Sequence, residues 1–508
     1  MFLVGAGPGN PGLLTVRAAE VLGRADLVLY DQLVPIRLLD LANPAAEKVC
    51  VRDLPGTHPD KYPHIHELLI RYGQAGKTVV RLKGGDPLVF GRGGEEAEAL
   101  RSAGVGYEII PGVTAALAAG AFLEIPLTHR NYASAVALVT GHELPNKPGN
   151  RLDWKALAAF PGTLCVYMGV ARLPVIVAEL LRHGKNPDTP AAIVERASTG
   201  DQRAVYARLA DLETARRNAG LEAPGLIIVG DPVAHRPAGP WWESRPLFGR
   251  RVLVTRPAHQ AAGVVRRLEH LGAVVYQQPT VEIRAPEDFG PLDRALGEVR
   301  DGSWDWVVFT SANGVHAFFR RLDALGRDLR DVGRVRFAAI GPKTADALRV
   351  YHLRADVVPA AFSSEGLVTA LAPHVSGRRV LLARANRGRD LLRTELAGVA
   401  AAVEQVTVYE QVDSVAPNPA VADALRRGEI HYVLLSSTRI AQNLLAAFDE
   451  TVRGRVHRGE VKLVAISPET GGAVRALGHP VAAEADPYTA DGLVDALIRL
   501  VGGEREAP

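Results

Sequence analysis

Over the first 235 residues, short apolar runs lead into glycine-rich turns, and stretches with apolar residues at helical spacing follow. MFLV enters GAGPGNPG, LLTVRAAEVLGRA behind it carries the helical period, and DLVLYD reads as a second buried strand. TVVRLKGGDP is a strand entering a glycine turn. GEEAEALRSAG is the helix after it, with acids in the first turn, where the helix dipole favours negative charge. This alternation predicts an α/β fold that binds ligands at the carboxyl ends of its strands. The segment RPAGPWWESRP, from Arg236 to Pro246, has no period and is rich in proline, so it reads as a linker or stiff connection. RRVLVTRP then opens a new α/β series.

That second series contains a repeat. WVVFTSANGV around Ser311 matches YVLLSSTRIA around Ser437, FAAIGPKTADALRVYHL matches LVAISPETGGAVRALGH, and FSSEGLVTAL matches YTADGLVDAL. Ser311 and Ser437, Thr344 and Thr470, and Gly366 and Gly492 each stand 126 residues apart, while VLVTRP at Val252 matches VLLARA at Val380 with an offset of 128. Two similar lobes facing a common cleft are expected from residue 249 onward.

The whole chain has 508 residues, 47% hydrophobic and 23% charged, with 59 basic and 56 acidic side chains and a net charge of +3. Such a balance fits a folded globular chain of about three units and shows no basic stripe for nucleic acid. Cys50 and Cys165 form neither a disulfide framework nor a zinc cluster. The start of the chain lacks the apolar region of a signal peptide, and the apolar stretch from Val113 to Leu127 is too short and too interrupted to span a bilayer. A cytoplasmic enzyme, with neither nucleic acid nor membrane as partner, is the expectation.

The first glycine loop admits two readings. Gly7, Gly9 and Gly12 satisfy the dinucleotide pattern G-x-G-x-x-G, and Asp31 ends the next strand as a ribose-binding acid would. Pro8 and Pro11 argue the other way, because each removes an N–H from the loop that would cradle a pyrophosphate. A proline-stiffened loop better suits a ligand that needs close backbone approach without phosphate charge.

VGAGPGNPGLLTVRA, VVRLKGGDPLVFGRGGEEAEAL, PGVTAALAA, IPLTHRNYASAVALVTGH and VYMG resemble the uroporphyrinogen-III C-methyltransferases over about residues 1–235. The resemblance implies a two-lobed tetrapyrrole methylase fold with S-adenosyl-L-methionine between the lobes as methyl donor, two methyl transfers to uroporphyrinogen III giving precorrin-2, and a homodimeric methyltransferase half. It places cofactor contacts at Pro8, Gly84, Gly85, Asp86, Val89, Thr114, Ala115, Met168 and Ala197. Asp31 matches the proposed proton acceptor. The family's proposed donor is a lysine in a Gly-Lys-Arg motif, but here the stretch reads Arg52-Asp53-Leu54, and an ionised carboxylate is a poor acid. No donor role is therefore assigned to Asp53. His129 and Arg130 are candidates for substrate carboxylates, and no metal is expected at His58, His64 and His66.

Beyond residue 249 no Ser–His–Asp, Cys–His or metal spacing is present. Apolar strands end instead in Thr310-Ser311, Gly341-Pro342, Ser436-Ser437 and Ser467-Pro468 just before helices. These cap helix N-termini and expose N–H groups that bind carboxylates or phosphates. RRVLVTRPAHQAAGVVRRLEHLGA, DWVVFTSANGVHAFF, AAIGPKTADAL and VTVYEQV resemble uroporphyrinogen-III synthase over about residues 249–505. That family closes hydroxymethylbilane, a linear tetrapyrrole with many carboxylates, with inversion of its last ring and loss of water. Tyr409 matches the tyrosine proposed to assist the leaving group, and Ser311, Thr344, Ser437 and Thr470 match hydroxyl positions lining the cleft. The resemblance implies an internally repeated α/β fold with discontinuous lobes, one of about 249–283 plus 410–508 and the other of about 284–409, joined to the first half through 236–248. Three other readings stand beside this one: a dinucleotide-dependent oxidoreductase, a non-catalytic two-lobed binding protein, and a methylase half of altered activity.

Overall fold

The computed structural model describes residues 1–56, 61–142, 152–388, 390–413 and 418–506. His58 lies outside them.

Strands β1 (Phe2–Gly5), β2 (Leu27–Tyr30), β3 (Glu47–Cys50), β4 (Val79–Lys83) and β5 (Glu108–Ile110) form a parallel sheet in the order β3-β2-β4-β1-β5. Leu3, Val4, Leu27, Val28, Leu29, Val79, Val80 and Leu82 have no exposed surface, as expected where helices cover both faces of a parallel sheet. Arg81 and Lys83 break that pattern, because they are charged and yet 1% exposed. A second sheet follows, with β6 (Val136–Thr140), β7 (Thr163–Tyr167), β8 (Pro190–Glu195), β9 (Arg203–Arg208) and β10 (Gly225–Val229) in the order β6-β7-β10-β8-β9. Only β6 and β7 run parallel there; β7 to β10, β10 to β8 and β8 to β9 are antiparallel, so the strand–helix alternation does not carry through this lobe.

The segment 236–248 is docked rather than free. Trp242 is 3% exposed, its ring lies 5.0 Å from that of Phe122, and Leu247 is fully buried.

Ten further strands follow: β11 (Arg251–Val254), β12 (Val274–Gln277), β13 (Val281–Arg284), β14 (Trp306–Phe309), β15 (Arg336–Ala339), β16 (Arg379–Ala385), β17 (Ala402–Asp413), β18 (Tyr432–Leu435), β19 (Lys462–Ala465) and β20 (Ala483–Glu484). They form two sheets, β12-β11-β18-β19-β20 and β13-β17-β16-β14-β15. The repeat explains this division. Strands β14 and β15 match β18 and β19, and β11 and β12 match β16 and β17, yet each sheet takes one pair from each copy. Val252 faces Tyr432 just as Val380 faces Trp306. The bridge from Ala338 to Val357 recurs as the pairing of Val464 with Ala483. Gly366 and Gly492 are equivalent as well, since an added Cβ would collide with the carbonyl oxygens of Ala361 and Pro487 respectively.

The division expected at 283/284 and 409/410 falls inside two strands. Val281 to Arg284 pair antiparallel with Asp413 to Glu410, so both segments belong whole to the sheet of β14–β16. Strand pairing continues past the points at which the resemblance placed the division of the lobes. Among the described residues no helix is long and apolar enough to cross a membrane.

Candidate active sites

The first candidate site forms where the carboxyl ends of β1 and β4 meet. Gly7 and Gly85 exchange backbone hydrogen bonds of 3.1 and 2.8 Å, both with positive φ, and Gly5 and Gly112 pack so closely on Gly85 that neither tolerates a Cβ. Pro8 and Gly9 project from this junction. Few loop N–H groups remain for a phosphate: Gly7 donates to Gly85, Gly12 to the Asn10 side chain at 2.8 Å, Leu13 to the Asn10 carbonyl, and both prolines have none. That disfavours the dinucleotide reading.

Asp86 ties the turns together. One carboxylate oxygen accepts from Leu88 N at 2.8 Å and the other from Gly112 N at 3.0 Å, while Val89 N bonds the Asp86 carbonyl. The Cβ direction of Gly85 points at Thr114, whose hydroxyl lies 2.8 Å from the Tyr167 hydroxyl. Tyr167 also accepts from Ala116 N at 2.9 Å, capping the helix Ala115–Phe122 from the end of β7 and joining the two lobes. Burial raises the Tyr167 pKa, so it stays a neutral phenol. Met168 follows with φ of +53° and 53% exposure, which is not how a core-filling methionine sits. Ala197 stands between Arg196 and Ser198, both left-handed, and the Thr199 methyl lies 2.9 Å from where a Gly9 Cβ would be. Pro8, Gly84–Asp86, Val89, Thr114, Ala115, Met168 and Ala197 are thus linked around one junction.

Asp31 directly follows β2 and bonds Arg81, which is fully buried behind it. Arg81 Nε also donates to Glu96 at 3.0 Å, and Lys83 donates to the same oxygen at 2.8 Å. Burial, then the Arg81 charge, lowers the Lys83 pKa. For Arg81 burial acts downward, but Glu96 and Asp31 outweigh it and the net shift is upward. Arg81, Lys83 and Glu96 were not singled out from sequence; the signal was present as two bases alternating inside an otherwise apolar strand.

Asp53 forms an exposed pair with Arg52 at 3.4 Å, each side chain 64% exposed. His64 is exposed and His66 half-buried, and among the described residues no cluster of three metal-ligating side chains exists. The His129 ring lies 4.6 Å from that of Tyr132, tilted by 30°, and Tyr132 in turn stacks on His235 at 3.6 Å, beside a cavity of about 770 Å³ that Leu117, Gly120 and Glu124 also line. The helix that lines this cavity through Leu117 and Gly120 is the one that carries Thr114 and Ala115 at its amino end, and Arg130 is exposed. Cys50 and Cys165 are both free and buried, and burial pushes the Cys165 thiol up to about 12.

In the second half, Ser311 caps the helix Ala312–Ala324 through Gly314 N (3.0 Å), and its hydroxyl lies 3.0 Å from that of Tyr409, which is 5% exposed. Ser437 caps Thr438–Ala446 in the other sheet's lobe. Thr344 and Thr470 are buried in the equivalent helices Pro342–Val350 and Pro468–Ala476. The structure therefore joins Tyr409 to Ser311 and places Ser437 and Thr470 in the opposite lobe.

Asp413, at the end of β17, holds the lobes together. It accepts from Arg439 at 2.5 Å and Asn443 at 2.8 Å on the helix of Ser437, and from Arg387 at 2.9 Å. The Arg439 hydrogen bond holds its carboxyl far below the usual range. At the carboxyl ends of β11 and β16 stand Arg256 and Arg384, equivalent in the repeat, and burial lowers the pKa of both. Neither the lobe contact nor the arginine pair was singled out from sequence.

Residues 1–213 match the family model described as tetrapyrrole (corrin/porphyrin) methylases, and residues 263–495 the one described as uroporphyrinogen-III synthase HemD. The porphyrin biosynthesis protein HemD of Ruminiclostridium josui is 32% identical over 506 residues, covering 99% of this chain and 98% of its own length. The S-adenosyl-L-methionine-dependent uroporphyrinogen III methyltransferase of Methanosarcina barkeri is 45% identical over 233 residues, 46% of this chain and 91% of that protein. Among solved structures, the uroporphyrin-III C-methyl transferase of Thermus thermophilus complexed with S-adenyl homocysteine is 46% identical, covering 46% of this chain and 98% of that one at a TM-score of 0.39. With one relative aligned from end to end and the two family models side by side, the chain belongs to the HemD-type porphyrin biosynthesis family in which a tetrapyrrole methylase is fused to a uroporphyrinogen-III synthase.

Proposed function

We propose that this chain is a bifunctional tetrapyrrole enzyme: the second half, about 249–508, cyclises hydroxymethylbilane to uroporphyrinogen III, and the first, about 1–235, methylates that product twice to precorrin-2. The observation that carries the methylase reading is the junction of Pro8, Gly84–Asp86, Thr114, Met168 and Ala197 between two lobes. Its donor set fits S-adenosyl-L-methionine. Left-handed glycines allow close approach, and an exposed thioether offers a polarisable face for adenine.

When bound, that donor supplies an electrophilic methyl group. The protein holds the tetrapyrrole so that the attacking ring carbon meets the methyl in line, and this positioning accounts for much of the rate. A carbon–carbon bond forms as the methyl–sulfur bond breaks, and the alkylated ring then loses a proton to regain conjugation. Asp31 is the assigned acceptor, with its carboxylate oriented by Arg81. Asp53 is assigned no donor role.

In the synthase half, loss of the hydroxyl as water leaves a cation stabilised by the substrate's own pyrrole nitrogen. The chain's tasks are to fold a flexible polyanion and to donate a proton to the departing oxygen. The Tyr409–Ser311 pair is the assigned donor. Helix N-termini capped by Ser311 and Ser437, with Arg256 and Arg384, receive carboxylates.

The test feeds the purified chain hydroxymethylbilane with and without S-adenosylmethionine and resolves the products by absorbance and mass. The type III isomer is expected without the donor and a doubly methylated product with it. Formation of the type I isomer alone would remove the synthase assignment, and an unmethylated product in the second assay would remove the methylase assignment.

A further inference from the structure

Among the described residues, two ion pairs join the second half to the first, Arg251–Asp201 and Glu269–Arg37. Arg251, the first residue of β11, donates to Asp201 at 2.9 and 3.2 Å. Asp201 belongs to the loop that carries Ala197. In that loop Arg196 and Ser198 are left-handed without being glycine, a conformation that persists only where neighbours enforce it.

Within the loop Ser198 N donates to Gln202 Oε1 at 3.0 Å and Thr199 Oγ1 to the Arg196 carbonyl at 2.8 Å, and groups from outside the methylase hold it as well. Trp242 Nε1 donates to Thr199 O at 2.9 Å, and Glu243 accepts from Gln202 at 3.0 Å. Gly200 packs so closely on Gly272 and Ala273 of the synthase that a Cβ would not fit. The second contact is on the other methylase lobe. Arg37, in the short helix Ile36–Leu41 after Asp31, lies 3.1 Å from Glu269, with both side chains 22% exposed. Glu269 is on the helix Ala258–His270, which packs with β11 in one core through Val252, Val265 and Leu268, each without exposed surface. A single piece of the synthase core therefore touches the loop of Ala197 on one methylase lobe and the short helix after Asp31 on the other. It does so from the amino ends of β11 and β12, and Ser437 and Thr470 lie beyond the carboxyl ends of β18 and β19.

We propose that the first synthase lobe is a built-in brace of the methyl-donor site: through Arg251–Asp201 on one wall and Glu269–Arg37 on the other it sets the spacing between Pro8–Gly9 and Ala197, so that donor binding depends on a domain that performs a different reaction. Arg251, Glu269 and Trp242 are positioning residues. The proposal rests on the reading that this junction binds S-adenosylmethionine, and it makes donor affinity and synthase docking reciprocal.

The test uses the full chain and S-adenosylhomocysteine as probe. Its dissociation constant is measured by titration calorimetry for the wild type, Arg251→Gln, Arg251→Lys, Glu269→Gln, Asp201→Asn and the Asp201→Asn/Arg251→Gln double variant, and cyclisation of hydroxymethylbilane reports that the synthase remains folded. Arg251→Gln is expected to weaken binding about fivefold, the lower end of common coupling strengths. Arg251→Lys should recover part of that loss, and the double variant should be no weaker than Asp201→Asn, which also loses the 3.4 Å pair with Arg196, because with Asp201 neutral Arg251→Gln has no further ion pair to remove. In methylation kinetics the KM for S-adenosylmethionine should rise while kcat stays within about twofold, a split that general loosening of the fold would not produce. Should Arg251→Gln fail to fold, Glu269→Gln reads the same coupling from the opposite wall. A wild type that binds the probe alongside variants that bind it equally well overturns the brace alone. A wild type that does not bind it overturns the methylase reading and the brace with it.

Discussion

Strand β4 carries Arg81 and Lys83 into a sheet buried on both faces, whereas β14 and β18 are apolar throughout and leave polarity to the serines that follow them. The two halves thus place reactive groups in different ways. In the first, two bases and Glu96 sit in low dielectric behind Asp31, where each charge is tolerable only because the others are present. In the second, hydroxyls at helix N-termini do two jobs at once and recur in both lobes. A buried charge cluster has one workable arrangement, while capping hydroxyls are individually replaceable and act as a set.

The contrast is broken most severely at Glu96. Glu96→Gln leaves two buried cations without their shared carboxylate and should destabilise the first half by about 3–5 kcal/mol in urea unfolding. Asp31→Asn comes next: single-turnover methylation should fall about a hundredfold or more while S-adenosylhomocysteine binding and cyclisation are unchanged. If methylation persisted at the wild-type rate, Asp31 would be only a partner of Arg81.

Symmetry of the second half is sharpened by Gly366→Ala and Gly492→Ala. Each forces a methyl against a carbonyl oxygen, and each should cost about 1–3 kcal/mol by thermal unfolding. A large difference between the two would show that the lobes differ in rigidity despite equivalent packing. Tyr409→Phe should slow cyclisation about tenfold with little loss of stability, because Ser311 keeps its bond to Gly314.

The smallest effect is expected at the lobe contact, where Asp413→Asn should cost about 1 kcal/mol. Because the folded Asp413 carboxyl lies far below its unfolded value near 3.9, the fold binds this proton less readily than the unfolded chain does. The contribution is complete above roughly pH 4 and is lost as pH falls through the folded value. Unfolding of wild type and variant should therefore converge in acid and separate at neutral pH, and a constant gap at every pH would exclude the ion pair as the cause.

Much of the secondary structure was legible from periodicity alone. The runs MFLV, DLVLY and TVVRLK are β1, β2 and β4, and the offset of 126 residues marks β14 against β18 and the capping Ser311 against Ser437. These are local matters, decided by apolar spacing and by which residue can cap a helix. The antiparallel strands of the second sheet were less legible, because buried strands read as similar apolar runs whichever way they pair.

Three features were settled only by tertiary structure. The repeat says that β11 resembles β16 and β14 resembles β18, but its pattern serves equally for pairing within a copy or between copies; the strand pairing that sets Val252 opposite Tyr432 and Val380 opposite Trp306 decides for exchange. Alternating Arg81 and Lys83 look from sequence like a solvent face, and only helices packed over that side turn them into a buried network around Glu96. The meeting of Arg251 with Asp201 and of Glu269 with Arg37 has no local signature at all, since ordinary surface charges become specific only when the folded halves bring them within 3.1 Å. Local sequence determines what each segment prefers to be, but burial and long-range contact are properties of neighbours, and neighbours exist only once the chain has folded.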